Sequence, residues 1–296
     1  MDQEGIVQLY KGIRRIRRFE EEVVLLCQEQ ALSTSFLSYR NQEAIAVGAT
    51  SVIEADDFII SSGCCHGLFL ARGGAMAQLF SELLGKESGC CGGNAGITNV
   101  FDVEHRYIGG WALSATQIPI AAGFAYAQVH HAVPNVTLCF LSNADLANGL
   151  FYETAALAKL WEIPLIFIVQ NCHQNFTDYQ RARPSLLTAA YGNNHENIDG
   201  HDIFAVRAAV HTAVTAAREN RTATIVEAHT LLSDPKLQEP SKVDPLSILA
   251  AKIAVFGKEE AKATADQEIE VEITQAKHLA DSAPLKQSEE NRGDLT

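Results

Sequence analysis

The chain has 296 residues, of which 47% are hydrophobic and 20% are charged, and its formal net charge at pH 7 is −13. This composition excludes a disordered chain and provides apolar material for one large domain, or one domain plus an extension. The negative charge argues against nucleic acid or an anionic membrane as the main partner, because either requires a basic surface. We therefore expect a small molecule or another protein.

The cysteines point to a reducing compartment. Seven are present, including the adjacent pairs Cys64-Cys65 and Cys90-Cys91, and they lie in apolar or glycine-rich stretches of a chain without an evident secretory signal. This pattern is not that of a disulfide framework. Adjacent cysteines also differ from the C-x-x-C spacing of a zinc site, so we interpret them as small side chains that fill space.

The basic run "IRRIRRFEEE" near the start raises the question of a targeting peptide. Acidic residues flank its arginines on both sides, and transit peptides avoid such residues. A surface helix is the favoured interpretation. We expect a protein of the cytoplasm, or the mature form of an organelle-matrix protein, without a membrane span, because no apolar run approaches the required length.

Helical and strand patterns alternate from about Gln42 to about Thr230. Helices are predicted in NQEAIAVGATSVI, GGAMAQLFSELLG, TQIPIAAGFAYAQVHHA, GLFYETAALAKL and DIFAVRAAVHTAVTAAREN, and strands in DFIISS, NVTLCFLS, IPLIFIVQN and TATIVEAHT. The segment "HENIDGHD" is interpreted as a turn with a helix N-cap at Asp202. Apolar strands separated by helices indicate a parallel sheet covered on both faces, so the predicted fold class is α/β.

The character of the sequence changes at Leu231. "LLSDPKLQEPSKVDP" is typical of a proline-punctuated linker, and two amphipathic helical patterns and a polar tail follow it. We therefore predict an α/β domain over residues 1–230, and a linker, C-terminal helices and a disordered tail over residues 231–296.

The strand-helix-strand unit over residues 137–172 predicts where a ligand would lie. Its two strands must be parallel, so Ser142-Asn143 and Asn171-Cys172 leave the same carboxyl edge of the sheet. Open α/β sheets bind ligands at that edge, and the helix that begins near Gly149 directs its positive end there. The position suits a phosphorylated cofactor, while a tight strand-to-helix turn without a ligand stays an equal alternative.

Four segments carry a resemblance to a known family. "LYKGIRRIRRFEEEV", "NQEAIAVGATSVIEADDFII", "YIGGWALSATQIPIAAGFAYA" and "AALAKLWEIPLIFIVQN" follow one another in the family's order, and the resemblance covers roughly residues 5–280. The chain resembles the alpha chain of the first component of 2-oxo acid dehydrogenase complexes, of the pyruvate and acetoin type. This implies a thiamine diphosphate-binding fold, thiamine diphosphate and Mg²⁺ as cofactors, and oxidative decarboxylation of a 2-oxo acid.

The resemblance also implies a magnesium site, at which this sequence departs from the family pattern. The family's ligands, which are the Asp of G-D-G, the second Asn of N-N and a carbonyl two residues later, correspond to Asn143, Cys172 and Gln174. Magnesium prefers oxygen ligands, usually including carboxylates. An amide is a weaker ligand and a thiol a poor one, and Ala144 stands where a glycine lets the backbone approach the diphosphate. Asn171 keeps the first Asn of N-N.

Departures recur at the other cofactor positions that the resemblance implies. Where the family reads Y-R-D-H-G-H, this chain reads "GCCHGL", so Cys64 takes a diphosphate-contacting position and only His66 is retained as a candidate catalytic residue. The backbone cradle for the aminopyrimidine corresponds to Ala112 and Ser114, and a family histidine becomes Asn99. Loss of one partner of a desolvated charged pair costs about 2–5 kcal/mol, so the combined losses predict a roughly thousandfold weaker cofactor affinity.

An alternative register restores one carboxylate. If the alignment shifts by two residues, Asp145 takes the place of the family's Asp and becomes a metal and cofactor ligand. Against this shift, Gly149, Phe151 and Glu153 match the family's G-x-F-x-E in the unshifted register alone. Asp145 is otherwise interpreted as an acid favoured near a helix N-terminus.

Two functional hypotheses follow. The favoured one is a catalytically degenerate relative that keeps the fold and the subunit interface and acts in assembly or regulation. The alternative is an active thiamine diphosphate-dependent 2-oxo acid or acetoin dehydrogenase alpha subunit that uses Asp145. In both, the resemblance implies a beta-type chain as partner in an α2β2 heterotetramer, with a homodimer or an acyltransferase core as further options. The helix "IPIAAGFAYA", with Gly123 permitting close approach, is the expected interface.

Overall fold

The structure is a computed structural model, and it describes residues 3–29, 37–63, 66–96, 98–173, 194–231 and 244–286. The helices are α1 (Gln3–Gln28), α2 (Glu43–Thr50), α3 (His66–Ala71), α4 (Met76–Leu83), α5 (Gln117–His130), α6 (Gly149–Leu160), α7 (Ile203–Asn220), α8 (Pro245–Val255) and α9 (Glu259–Ser282). The strands are β1 (Phe58–Ser62), β2 (Tyr107–Trp111), β3 (Thr137–Ser142), β4 (Leu165–His173), β5 (Asn194–Asp199) and β6 (Thr224–Leu231). A 3₁₀ turn spans Asp145–Ala147.

The six strands form one parallel sheet in the order β2-β1-β3-β4-β6-β5. Its apolar strands alternate between two cores, because successive residues of a strand face opposite sides. Leu138 and Phe140 lie in a core with α1, α2, α7, α8 and α9, whereas Cys139 and Leu141 lie in a core with α5 and α6. The predicted α/β class, a parallel sheet covered by helices on both faces, is confirmed.

Two edge strands were not predicted. β2 contains Gly109-Gly110, and β5 has the polar sequence "NHENID" with mostly exposed side chains. The interpretation of "HENIDGHD" as a turn is wrong, because its first five residues pair with β6. Neighbouring strands override the low strand propensity of such segments. The N-cap at Asp202 is confirmed, since its side chain accepts a hydrogen bond from the Phe204 N–H.

The C-terminal helices join the core of the sheet. Ile253 of α8 and Ile269 of α9 belong to the same buried cluster as Phe19 of α1. The predicted boundary at residue 230, between the α/β domain and the C-terminal extension, stays a prediction. None of the helices in the described ranges is both long and apolar enough to cross a membrane.

The basic run of α1 binds the acidic face of α9. Arg15 forms a 2.7 Å ion pair with Glu272, and Arg18 forms one of 2.6 Å with Glu270. Each pair on a partly exposed surface contributes little by itself, but several pairs along two helices fix their register. The positive face of "IRRIRRFEEE" therefore has a partner within the chain.

A buried ion pair ties α1 to α2. The Arg17 guanidinium lies 2.7 Å from a carboxylate oxygen of Glu43, and a second 2.7 Å contact joins it to Asp244 at the start of α8. Complete burial raises the pKa of Glu43 to about 7, in spite of the opposing effect of the Arg17 charge. Folding therefore favours the protonated carboxyl group.

This shift predicts a pH-dependent stability. Because the folded-state pKa of about 7 lies above the value of 4.5 expected for the unfolded chain, the contribution of Glu43 is complete below pH 4.5 and is lost as the pH rises to 7. The loss amounts to about 3 kcal/mol of unfolding free energy. Glu43→Gln removes it, so the stability of the variant relative to wild type rises with pH in urea unfolding at several pH values. The exposed Glu268→Gln serves as control, and a pH-independent difference for Glu43→Gln contradicts the prediction.

Candidate functional site

The candidate site lies at the carboxyl edge of the sheet, where β1 and β3 end at Ser62 and Ser142. The chain leaves β3 into the 3₁₀ turn that Asp145 begins, and α6 follows with Asn148 as its N-cap. Asp145 is only 1% exposed although it lies in a surface connection. A buried carboxylate requires hydrogen-bond donors or an opposite charge, so its surroundings define the site.

The Asp145 carboxylate accepts six hydrogen bonds from five described residues. We call these five donor residues the Asp145 cradle: Ser62, Ser114, Ala115, Gln117 and Ser142. Its Oδ1 accepts from the Ser114 hydroxyl at 2.5 Å and the Ala115 N–H at 2.7 Å. Its Oδ2 accepts from the Ser62 hydroxyl at 2.9 Å, from the Ser142 N–H at 2.7 Å and hydroxyl at 3.1 Å, and from the Gln117 amide at 3.4 Å. Two carboxylate oxygens offer about four lone-pair directions, so these donors occupy the group fully.

Burial alone would raise the pKa of Asp145, but the hydrogen bonds from Ser114, Ser142 and Ser62 outweigh this effect and hold the pKa below its ordinary value. The carboxylate is thus charged at neutral pH. The sequence predicted Asp145 as an acid near the start of a helix. That prediction gives its position in the chain but not its hydrogen bonds, which join the end of β1, the turn before α5 and the end of β3.

Local backbone conformation directs the fixed donors. Ala115 adopts a φ of 65°, in the left-handed region that a residue with a Cβ rarely occupies, immediately before α5 begins. This turn presents its N–H to Asp145. The Ser142 N–H belongs to the last residue of β3 and reaches the same carboxylate three residues along the chain. One backbone donor therefore lies in the turn immediately before α5, and the other lies at the end of β3.

The other predicted cofactor positions that the structure describes do not converge on a cation site. Asn143 and Ala144 are exposed on the turn after β3. On β4, Asn171 donates its amide to Glu227 at 2.7 Å, and Cys172, the next residue, directs its side chain to the opposite face of the sheet. Burial raises the pKa of the Cys172 thiol, which favours its neutral form.

These described residues do not fit a magnesium ion. Mg²⁺ requires near-octahedral oxygen coordination with at least one or two carboxylates, whereas the one carboxylate predicted for the site, Asp145, is occupied by protein donors. Cys172 offers a protonated sulfur, and Asn143 offers a neutral amide. Cys64 and Gln174, the remaining predicted positions, lie outside the described residues.

The aminopyrimidine cradle implied by the resemblance is engaged within the chain. The Ala112 N–H donates to the side-chain oxygen of Asn99 at 3.2 Å, and Ser114 donates to Asp145. Asn99 stands where the family has a histidine, and its side-chain oxygen accepts the hydrogen bond of the Ala112 N–H. Both predicted residues donate hydrogen bonds to acceptors of the chain itself, and of the two only Ser114 is a donor of the Asp145 cradle.

His66 lies apart from the Asp145 cradle. Its side chain is fully buried at the start of α3, and its Nε2 lies 2.8 Å from a carboxylate oxygen of Glu20 on α1. Its ring also contacts the rings of Tyr39 and Phe19. These contacts assign His66 a part in holding α1 against α3, and its candidate catalytic role stays a prediction.

Sequence reasoning missed a second polar cluster, at the carboxyl ends of β4, β5 and β6. The Glu227 carboxylate is buried and lies 3.2 Å from His195 on β5, while His229 lies 3.0 Å from His173 on β4. Burial lowers the pKa of His229, which favours the neutral imidazole. The alternation of Glu227 and His229 along β6 is a usable signal, but the cluster requires β5, which was taken for a turn.

The backbone of the glycine-rich loop "GCCGGNAG" forms hydrogen bonds within the chain. The Glu82 carboxylate accepts hydrogen bonds from the N–H groups of Cys91, Gly93 and Ala95 at 2.7, 3.0 and 2.6 Å. Glu82, Cys90 and Cys91 also form a group whose potential metal-ligating atoms lie within 4.8 Å of one another. Because the carboxylate already accepts these donors, its evident task is to shape the loop.

Comparison with known proteins identifies a family and relatives that match most of the chain. A family model described as "Dehydrogenase E1 component" matches residues 11–289. The pyruvate dehydrogenase E1 component subunit alpha of Zymomonas mobilis is 29% identical, over 98% of this chain and 88% of its own length. The mitochondrial pyruvate dehydrogenase E1 component subunit alpha of Dictyostelium discoideum is also 29% identical, over 98% of this chain and 81% of its own.

Among solved structures, a chain described as a thiamin diphosphate-dependent enzyme from Mycobacterium smegmatis matches with a TM-score of 0.44 and 12% identity. The match covers 64% of this chain and 32% of that one.

The fold and the site define the class of parallel α/β proteins that carry polar groups at the carboxyl edge of the sheet. Within that class the family model matches most of the chain, so the chain belongs to the dehydrogenase E1 component family. The resemblance inferred from the sequence motifs is confirmed, and its relatives are alpha subunits of the pyruvate dehydrogenase E1 component.

Replacement of Asp145 tests the cradle. Asp145→Asn keeps the shape but places an amide N–H₂ against groups that donate, so we expect a loss of about 2–4 kcal/mol in unfolding free energy. Asn143→Ala, two residues away and exposed, is the matched control and should change stability by less than about 0.5 kcal/mol. Urea unfolding at pH 7 measures both, and equal effects of the two substitutions contradict the assignment.

Proposed function

We propose that this chain is a non-catalytic alpha-type subunit of the dehydrogenase E1 component family, which acts in the assembly or regulation of a complex with a beta-type chain. The observation that carries the proposal is the Asp145 carboxylate, whose lone pairs are taken by the Asp145 cradle. A carboxylate in that state does not bridge a divalent cation to a diphosphate.

The remaining donor set supports the same conclusion. At the described positions that correspond to the family's cation ligands, this chain has an amide on Asn143 and a half-buried thiol on Cys172. The described part of the site therefore lacks the carboxylate and the second amide that the resemblance implies for binding Mg²⁺ with thiamine diphosphate. The alternative, an active 2-oxo acid or acetoin dehydrogenase subunit that uses Asp145, requires the Asp145 cradle to open and release its carboxylate.

The assembly role draws support from an exposed apolar surface on α5 and α6. Tyr126 is 50% exposed, Trp161 45% and Leu160 74%, and the rings of Tyr126 and Trp161 contact each other at 5.4 Å between centroids. Gly123 lies on the same helix as Tyr126, and a Cβ added to it meets no atom of the chain within 4 Å. A glycine that the chain's own packing does not require, beside exposed aromatic rings, suits the close approach of a partner.

The occupant proposed for this surface is a beta-type chain, in an α2β2 heterotetramer. A second copy of this chain, giving a homodimer, is the competing occupant, and an acyltransferase core is a further partner of the complex. The relatives' designation as subunit alpha supports a heteromeric complex.

Calorimetry tests the absence of cofactor binding. Titration of thiamine diphosphate with Mg²⁺ into the chain, and into its assembly with a beta-type chain, should give no saturable heat attributable to the alpha-type site, because the carboxylate and amide ligands are unsuitable. Titrations without Mg²⁺ and into the beta-type chain alone are the controls. A magnesium-dependent micromolar isotherm that disappears in Asp145→Asn supports the active alternative and overturns the proposal.

Substitution at Gly123 tests the interface. Gly123→Leu should fold normally, because the position is open and glycine is about 1 kcal/mol less favourable than other residues in a helix. The larger side chain should nevertheless weaken assembly with the beta-type chain about tenfold or more. Thr212→Leu, at an exposed position of α7, is the matched control. Size-exclusion chromatography with light scattering reads out assembly, and an unaffected complex rejects this surface as the interface.

A further inference from the structure

The Asp145 cradle consists of donors from separate parts of the chain. The Ser62 hydroxyl comes from the end of β1, Ala115 and Gln117 come from the start of α5, and Ser142 ends β3. The described contacts of Asp145 include neither Lys nor Arg. Convergent backbone N–H and hydroxyl donors can bind an oxyanion without the help of a cation.

We propose that Asp145 is an intramolecular occupant of an oxyanion site. In this interpretation the chain carries a cradle with the chemistry to bind the oxygens of a small carboxylate or phosphoryl ligand, and it fills that cradle with its own side chain. The proposal rests on the proposed function in one respect, since both take the Asp145 carboxylate to be unavailable to a cation.

Two donors of the Asp145 cradle have directions that the backbone fixes. Serine hydroxyls can rotate toward other acceptors, but the N–H groups of Ala115 and Ser142 are held by the left-handed turn before α5 and by the end of β3. When the carboxylate is removed, the buried Ala115 N–H and the partly buried Ser142 N–H keep their direction and lack an acceptor, which is unfavourable. A free anion that enters the vacated volume restores the lost hydrogen bonds.

The size of the vacated volume selects the probe. Asp145→Ala removes a carboxylate group and leaves the backbone and Cβ in place. Formate is a carboxylate of the same size as the deleted group, so it can approach the donors as the Asp145 side chain does. Inorganic phosphate presents the same kind of oxygen but is larger. Ser114 and Ala144, which border the site, are exposed and leave a route from solvent.

The experiment compares thermal unfolding of wild type and Asp145→Ala in sodium formate and in sodium chloride at matched ionic strength. We expect formate to raise the Tm of Asp145→Ala saturably, by about 2–4 °C at roughly ten times its Kd. Wild type should show no formate-specific shift, because its cradle is occupied. Inorganic phosphate should give a smaller shift in the same variant.

Asp145→Asn is the matched control, because its amide fills the volume and should abolish the formate response. Adding Ser142→Ala or Ser62→Ala to Asp145→Ala should weaken that response, because each removes a donor. If Asp145→Ala fails to fold in chloride, recovery of folded protein on refolding in formate replaces the Tm shift. No formate-specific effect in either measurement overturns the proposal, as does an equal shift in wild type or in Asp145→Asn.

The outcomes distinguish this proposal from the proposed function. Failure of formate rescue, with thiamine diphosphate still not bound by wild type, rejects the intramolecular oxyanion and leaves the non-catalytic assignment standing. Formate rescue together with thiamine diphosphate binding by wild type supports the cradle and rejects the non-catalytic assignment.

Discussion

A buried carboxylate with no cationic partner among its described contacts is the constraint around which the candidate site is organised. Asp145 holds together the ends of β1 and β3 and the start of α5, because each supplies donors to its two oxygens. Taking a charge out of water is tolerated only when hydrogen bonds replace the lost solvation. The carboxylate therefore fixes the loop geometry, and the loops in turn keep it ionised, as the lowered pKa indicates.

The hydrogen bonding of Asp145 shows why the fold of this chain does not by itself establish an activity. The chain has the parallel α/β sheet of its fold class, and the family model matches nearly the whole chain. Fold alone does not establish activity, which depends on the groups at the site. Here those groups are directed at one another: Ser114 toward Asp145, the Ala112 N–H toward Asn99, and Asn171 toward Glu227. The subunit assembly proposed for this chain would need none of these groups, because the surface proposed for it lies on the exposed faces of α5 and α6.

The sequence predicted the elements whose signal is local. β3, β4 and β6 each contain a short apolar run, and α6 and α7 begin at N-caps that short-range spacing reveals. β2 and β5 carry glycines or polar residues and become strands only because β1 and β6 offer them backbone partners. The surroundings of Asp145 were equally invisible, since two of its donors, Ser62 and Ser114, lie 83 and 31 residues away in the chain. Local sequence patterns identified where the strands end, but only the folded structure shows which side chains at those ends form hydrogen bonds with one another.

The occupied cradle also has an evolutionary consequence. A mutation that restored an acid at Asn143 would put a second carboxylate two residues from one on which the loops depend, and the two like charges would repel each other. Losing Asp145 first would leave buried donors without acceptors and weaken the fold before any benefit arose. If the chain is non-catalytic as proposed, the Asp145 cradle therefore opposes both single changes by which a carboxylate at this edge of the sheet could become available to a cation.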